Sequence, residues 1–222
     1  MKLSENTINI LKNYAAINPM LLVKEGNVLT TVSVARSILA KATVEETFPR
    51  QFAIYELPRF LGVLSLFNDP DLEFGEKQLR IVSGRQSVNY TYADPSMIVS
   101  PPEREIVFPG AEVEFTISQQ DLQKLVRATG VLQLKSVVVI GNGEKIYIAA
   151  ASAKNPSADS FSIEVGDTDK SFEIFYSTEN IIRLLSAEYS VKISKEGLTQ
   201  FVSTNVEYFM ASEAGSTYTS SK

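Results

Sequence analysis

The chain has 222 residues, 44% of them hydrophobic and 21% charged, with a formal net charge of −5, enough for one large domain or two of roughly 110 residues. It contains no cysteine and no histidine, which removes disulfides, thiolate chemistry, the commonest general base and the commonest zinc ligand. No apolar run approaches the ~20 residues of a membrane span and no signal-peptide core opens the chain, so it reads as a soluble protein of a reducing compartment with no membrane partner.

In chain order, residues 3–15 predict a helix that stops near Asn18-Pro19. Met20 to Val32 reads as a hairpin turning at Glu25-Gly-Asn27, and residues 34–48 as further strands ending before Pro49. Phe52–Tyr55 is a short strand, and Pro58 suits the first turn of a helix running to about Phe67, which Asn68-Asp-Pro-Asp71 ends. Lys77–Val82 and Ser87–Tyr92 predict a hairpin around Ser83-Gly-Arg85. Four of the nine prolines fall between Ala93 and Pro109, which marks a linker over 95–110 between a domain at 1–94 and a second at 111–222.

In the second half, Glu112–Ile117 enters a helix capped by Ser118 and stopped at Gly130. Ser136–Ile140 and Lys145–Ala150 flank a turn at Gly141-Asn-Gly-Glu144. After a polar loop at 153–160 come a strand at Phe161–Val165, a turn at 166–170, a strand at Phe172–Tyr176 and a helix over 178–189. Ser190–Ser194, Leu198–Ser203 and Val206–Ala211 are the last strands, ahead of a polar tail. Helices and antiparallel hairpins in this order give an α+β pattern.

The chain also reads as one unit written twice. Aligning Ser4 with Ser118, an offset of 114, sets Ile8 on Leu122 and Leu11 on Leu125. A strand followed by a helix then recurs from Phe52 and from Phe172, at an offset of 120 to 121. Two helix pairs at nearly one offset predict two repeated domains, each with two helices packed on antiparallel sheet.

No catalytic motif is present and no cofactor is expected. Gly141-Asn-Gly143 is too short for a phosphate loop, and Asp69-Pro-Asp71 and Asp167-Thr-Asp169 read as solvated turns rather than magnesium ligands. The four helices are more informative. Each opens on an acid, Glu5, Glu56, Asp121 or Glu179, and carries later bases: Lys12, Arg59, Lys124 with Arg127, and Arg183. In the helix after Ser118 the stripe Leu122, Leu125, Val126 and Thr129 opposes a face of Gln119, Gln120, Gln123, Lys124 and Arg127. Acids and bases that match the helix dipole account for any one such helix. Were the four to lie side by side, they would present a weakly basic surface able to follow phosphates without reading bases.

Met1-Lys-Leu-Ser, the Leu11-Lys-Asn-Tyr-Ala15 helix, Ala53-Ile-Tyr-Glu-Leu57 with Phe60-Leu-Gly-Val-Leu-Ser-Leu66, Ala93-Asp-Pro-Ser96 and Asp121-Leu-Gln-Lys-Leu125 together resemble the sliding clamps of T-even-type bacteriophages. The resemblance spans the chain and is weakest after residue 150. It implies the DNA-clamp fold and a non-enzymatic function: a homotrimer closed head to tail around double-stranded DNA, helices inside, contacting it independently of sequence. It further implies a replicative DNA polymerase held by the ring, an ATP-driven clamp loader, late-transcription sigma-type factors as partners, and work in the cytoplasm of the infected bacterial host. On this reading Lys12, Arg59, Lys124, Arg127 and Arg183 face DNA. Met97, Ile98 and Val99, apolar between prolines, would wall a groove for a partner peptide beside the linker in the C-terminal domain. The other reading is a β-rich phage structural ring protein of tail or baseplate, which leaves the repeated basic helices unexplained.

Overall fold

The computed structural model describes residues 1–104, 106–155 and 157–219; Glu105 of the linker, Pro156 of the 153–160 loop and 220–222 of the tail lie outside the described residues. The chain divides into two compact units, Met1–Arg104 and Glu105–Lys222, at a point within the proline-rich stretch.

The first unit opens with α1 (Glu5–Ile17), followed by β1 (Leu21–Val23), β2 (Gly26–Val32), β3 (Ile38–Phe48), β4 (Phe52–Ile54) and α2 (Leu57–Leu64). Three antiparallel strands then succeed one another, β5 (Asp71–Phe74), β6 (Gln78–Ser83) and β7 (Gln86–Thr91), before a 3-10 turn at Pro95–Met97. The hairpin expected over 20–32 does not form. β1 pairs instead with β4, Leu21 opposite Ile54, and β2 pairs with the longer β3. Gly26, at φ +109°, lets the chain turn out of β1 without closing on it, because that backbone region carries no Cβ penalty for glycine. Leu21, Val23, Phe52 and Ile54 are all buried, so the remote pairing covers more apolar surface than a local hairpin with the half-polar start of β2 would. β5 was not visible as a strand in sequence, since Leu72 is its one buried residue.

The second unit runs β8 (Val113–Ile117), α3 (Gln119–Val131), β9 (Ser136–Asn142), β10 (Lys145–Ala151), β11 (Phe161–Asp167), β12 (Ser171–Ser177), α4 (Thr178–Ile181), β13 (Tyr189–Ile193), β14 (Leu198–Val202), β15 (Val206–Ala211) and β16 (Thr217–Thr219). All its strand pairs are antiparallel, in the orders β11-β10-β9-β12-β16 and β15-β14-β13-β8. Thus part of the polar tail is a strand, with Tyr218 opposite Phe172.

Two helix ends differ from the expectation. α3 runs through Gly130 to Val131, and Gln133 takes the left-handed conformation at φ +52°. Leu134 N–H bonds Thr129 C=O at 2.9 Å and Gln133 N–H bonds Gly130 C=O at 3.3 Å, the two bonds of a Schellman motif closed by glutamine. The helix expected over 178–189 is a single turn. The hydroxyl of Tyr208 accepts from Leu185 N–H at 3.2 Å and that of Tyr189 donates to Leu185 C=O at 2.8 Å. Both polar groups of Leu185 are therefore taken by buried tyrosines, and the i to i−4 ladder cannot pass through it.

The repeat is explicit at the helix starts. α1 and α3 each have 13 residues, and Ser4 and Ser118 adopt φ/ψ of −68/157° and −69/155°. Each hydroxyl accepts from the N–H three residues on, at 3.2 Å from Thr7 and 3.1 Å from Asp121. A capping hydroxyl of this kind contributes about 1 kcal/mol. In α1 a second group assists: the Glu46 carboxylate of β3 accepts from Ser4 N–H and the Thr7 hydroxyl. Burial alone would raise the Glu46 carboxyl, but these bonds hold it below the usual carboxylate range.

Candidate nucleic-acid interface

In each unit the two helices pack beside one another against strands, and the apolar stripe decides which face remains for solvent. Ile10, Leu11, Tyr14 and Ile17 of α1 are buried, as are Leu57, Phe60 and Leu64 of α2. Leu122, Leu125 and Thr129 do the same for α3, with Val126 half-buried. Lys12, Arg59, Lys124 and Arg127 consequently stand exposed on the opposite faces, together with Gln119, Gln120 and Gln123.

These bases are not equivalent. Arg59 pairs with Glu56 at 3.2 Å and Lys124 with Asp121 at 3.3 Å, each three residues back along its own helix. Asp121 is held below the ordinary aspartate range, first by the Ser118 hydroxyl, which donates to it at 2.8 Å, and then, against burial, by Lys124. Lys12 and Arg127 make no ion pair or hydrogen bond within the described residues. Arg183 lies past the single turn of α4, half-buried, and donates to Asn180 Oδ1 at 3.4 Å, so it is not carried on a helix face as expected. Two of the glutamines are also engaged, Gln119 and Gln123 donating to Ser186 Oγ at 3.3 and 2.6 Å. Nothing in the spacing of Ser186 announced that link.

Charge is divided unevenly. Met1–Arg104 holds 11 basic and 11 acidic residues, so the net −5 belongs to the second unit and the exposed bases of α3 stand within an acidic body. The Asp-X-Asp turns are occupied by amines: Asp69 pairs with Lys2, Asp71 lies 3.9 Å from the N-terminal ammonium, and Asp167 is 2.7 Å from Lys145.

The apolar triplet near the linker is split. Met97 is 58% exposed, whereas Ile98 is buried at 8% and Val99 is half-buried, its C=O accepting from Asn18 Nδ2 at 3.0 Å. Asn18 also donates to Val32 C=O at 3.0 Å and accepts from Met20 N–H at 2.9 Å, so the start of the linker is tied to the end of α1. These residues belong to the first unit, not to the C-terminal domain as expected. Ile98 is drawn inward because leaving it in water would forfeit most of the ~1.5–3 kcal/mol its burial contributes.

The fold is that of the DNA clamps. The Proliferating Cellular Nuclear Antigen of Entamoeba histolytica matches with a TM-score of 0.72 at 10% identity, over 96% of this chain and 97% of that one. That of Thermococcus kodakaraensis gives 0.71 at 15%, over 96% and 99%. Residues 2–100 match the family described as DNA polymerase processivity factor, and residues 114–214 that described as gp45 sliding clamp, C terminal. The sliding clamp of Vibrio phage KVP40 is 32% identical over 222 residues, 96% of this chain and 100% of its own length, and that of Enterobacteria phage T4 is 31% identical over 229 residues, 98% and 99%. The chain therefore belongs to the phage sliding-clamp family, whose members are polymerase processivity factors and not enzymes. The expected α+β clamp fold of two repeated domains is the fold found, and the tail or baseplate reading is not favoured.

Proposed function

We propose that three copies close head to tail into a ring around double-stranded DNA and tether the replicative DNA polymerase there. The kinship with phage sliding clamps along nearly the whole chain carries this reading. A ring fits a chain with two repeated halves, because heterologous contacts whose rotation closes give a cyclic assembly. An ATP-driven clamp loader opens and places the ring, late-transcription sigma-type factors use it afterwards, and the setting is the cytoplasm of the infected host. Residues 95–110 serve as the linker between domains at 1–94 and 111–222.

Lys12, Arg59, Lys124, Arg127 and Arg183 form the DNA-facing set in this reading. Two of them already share their charge with an acid one turn away, and Arg183 leans on Asn180, which leaves Lys12 and Arg127 as the unshared bases. Few released counterions per copy mean a weak, sequence-independent hold, which suits a protein that must slide. Of the triplet 97–99, Met97 offers its side chain to a partner peptide. Retention on circular but not on linear duplex, dependent on loader and ATP, is the result expected; equal loss from both would overturn the ring.

A further inference from the structure

A buried side chain that takes no part in the DNA face holds the start of the linker. Asn18, just past the end of α1, is 0% exposed, and its carboxamide bonds three backbone groups: it donates to Val32 C=O of β2 and to Val99 C=O, both at 3.0 Å, and accepts from Met20 N–H at 2.9 Å. The bond to Val99 joins residues 81 apart in sequence. Burying an amide costs free energy unless its polar atoms are paired, so this carboxamide is tolerated because backbone groups of separate segments meet it.

The duplication separates this role from that of an ordinary helix end. At the 114-residue offset Asn18 falls on Leu132, where α3 is closed locally through Gln133 and needs no distant partner. The carboxamide thus stands in the repeat from which the linker departs. What it holds is a turn already ordered in several ways. Ala93 N–H bonds Ala53 C=O at 3.0 Å, Asp94 accepts from Ser96 N–H at 2.9 Å, Pro95 fixes its own φ, and Met97 N–H bonds Asp94 C=O at 3.0 Å. With Ile98 buried and Val99 pinned by Asn18, Met97 is left 58% exposed on a short stretch held at both ends.

We propose that Asn18 is a positioning residue for partner docking: its carboxamide clips the start of the linker to the end of α1, so that Met97 meets the polymerase on a rigid turn. The inference rests on the reading above in which Met97 contacts a partner peptide. A turn ordered beforehand loses less conformational freedom on binding than a loose one, so Asn18 contributes to affinity without touching the partner.

Titration of the full-chain clamp with the replicative polymerase, read beside amide hydrogen exchange, tests it. Asn18→Leu removes all three bonds, and Asn18→Asp keeps the acceptor for Met20 N–H while removing both donors. Each is expected to speed exchange at residues 97–100 roughly tenfold or more while the amides of α1 keep their wild-type rates, and to weaken polymerase binding about fivefold. In a Met97→Ala background Asn18→Leu is expected to cost little more, because both changes act on one contact, whereas a residue of general structural importance would lower affinity equally in either background. Unchanged affinity in Met97→Ala overturns the partner reading of Met97 and the positioning role with it. A weakened Met97→Ala with both Asn18 variants binding as wild type leaves that reading standing and overturns the positioning role, as do equal losses in the two backgrounds. Should both Asn18 variants fail to fold, wild-type exchange decides. Asn18 side-chain amide protons protected in the free clamp, and no further protected by polymerase, are the result expected; exchange at the solvent rate in the free clamp, slowed by polymerase, would show the turn ordering only on binding and overturns the proposal.

Discussion

The ring of Phe172 closes over Gly141. The two residues are directly opposed in the β9–β12 ladder, and a Cβ placed on Gly141 would lie 2.3 Å from the Phe172 ring. Tyr218 of β16 stacks on the other side, 6.1 Å away and 12° from parallel. Glycine at 141 is therefore a space requirement rather than a turn requirement. Gly141→Ala is expected to cost about 1–3 kcal/mol, as overpacking does, measured by urea unfolding. An unchanged midpoint would mean that the aromatic pair can move aside freely.

The end of α3 offers a paired test. Gly130 is helical and a Cβ there meets nothing within 4 Å, so Gly130→Ala is expected to stabilise by about 0.5–1 kcal/mol. Gln133 sits at φ +52°, where a side chain costs roughly 1 kcal/mol, so Gln133→Gly is expected to stabilise as well. If thermal melting shows Gly130→Ala to be destabilising, the helix stops at 130 and the assignment of its end is wrong.

Stability should fall at both ends of the pH range. Glu46 has its folded pKa lowered, so its contribution is present above the unfolded carboxylate value and is lost as pH drops through the folded one. Glu46→Gln is expected to flatten the acid limb. Tyr176, Tyr189 and Tyr208 are pushed upward chiefly by burial, Tyr208 to about 12. Raised folded values make their contribution complete below the unfolded tyrosine pKa of about 10 and progressively lost above it. Denaturant midpoints that do not decline between pH 10 and 12 would show those hydroxyls to be solvated.

Charge removal on the helix faces should be graded if they meet DNA. Lys12→Gln with Arg127→Gln removes the two unshared bases, whereas Arg59→Gln with Lys124→Gln removes bases already paired with Glu56 and Asp121. The first pair is expected to reduce loader-dependent retention more and to shrink its salt slope by up to about 2 per copy, or about 5 for a ring of three, the second less, on any DNA sequence. Both pairs should fold normally, since such surface changes shift stability by only about 0.5 kcal/mol. Equal effects from the two pairs would mean that the intrahelical ion pairs open on the DNA.

What could be read without coordinates was local. Ser4 and Ser118 as caps, the stripes of α1 and α3 and the 114-residue offset all depend on neighbours within a turn or on the chain's own recurrence, and each was legible for that reason. The exposure of Lys12, Arg59, Lys124 and Arg127 followed, because an apolar stripe dictates what stands opposite it.

What the chain alone could not decide depended on partners far away in sequence. β1 joined β4 across some thirty residues because both bury both ends, and local alternation carries no information about which strand will be met. The helix after Ser177 has good helical composition through Leu185, yet ends after one turn because Tyr189 and Tyr208 take the backbone of Leu185 for themselves. Ile98 was apolar in a proline-bounded segment in sequence and is buried in the fold, held beside the Asn18 amide. The sequence determined the elements, their caps and their duplication, since those are set by short-range sterics and hydrogen bonds; which strands pair, where the fourth helix breaks and which apolar residues remain bare were decided by tertiary packing, since burial is a property of what the rest of the chain brings to a site.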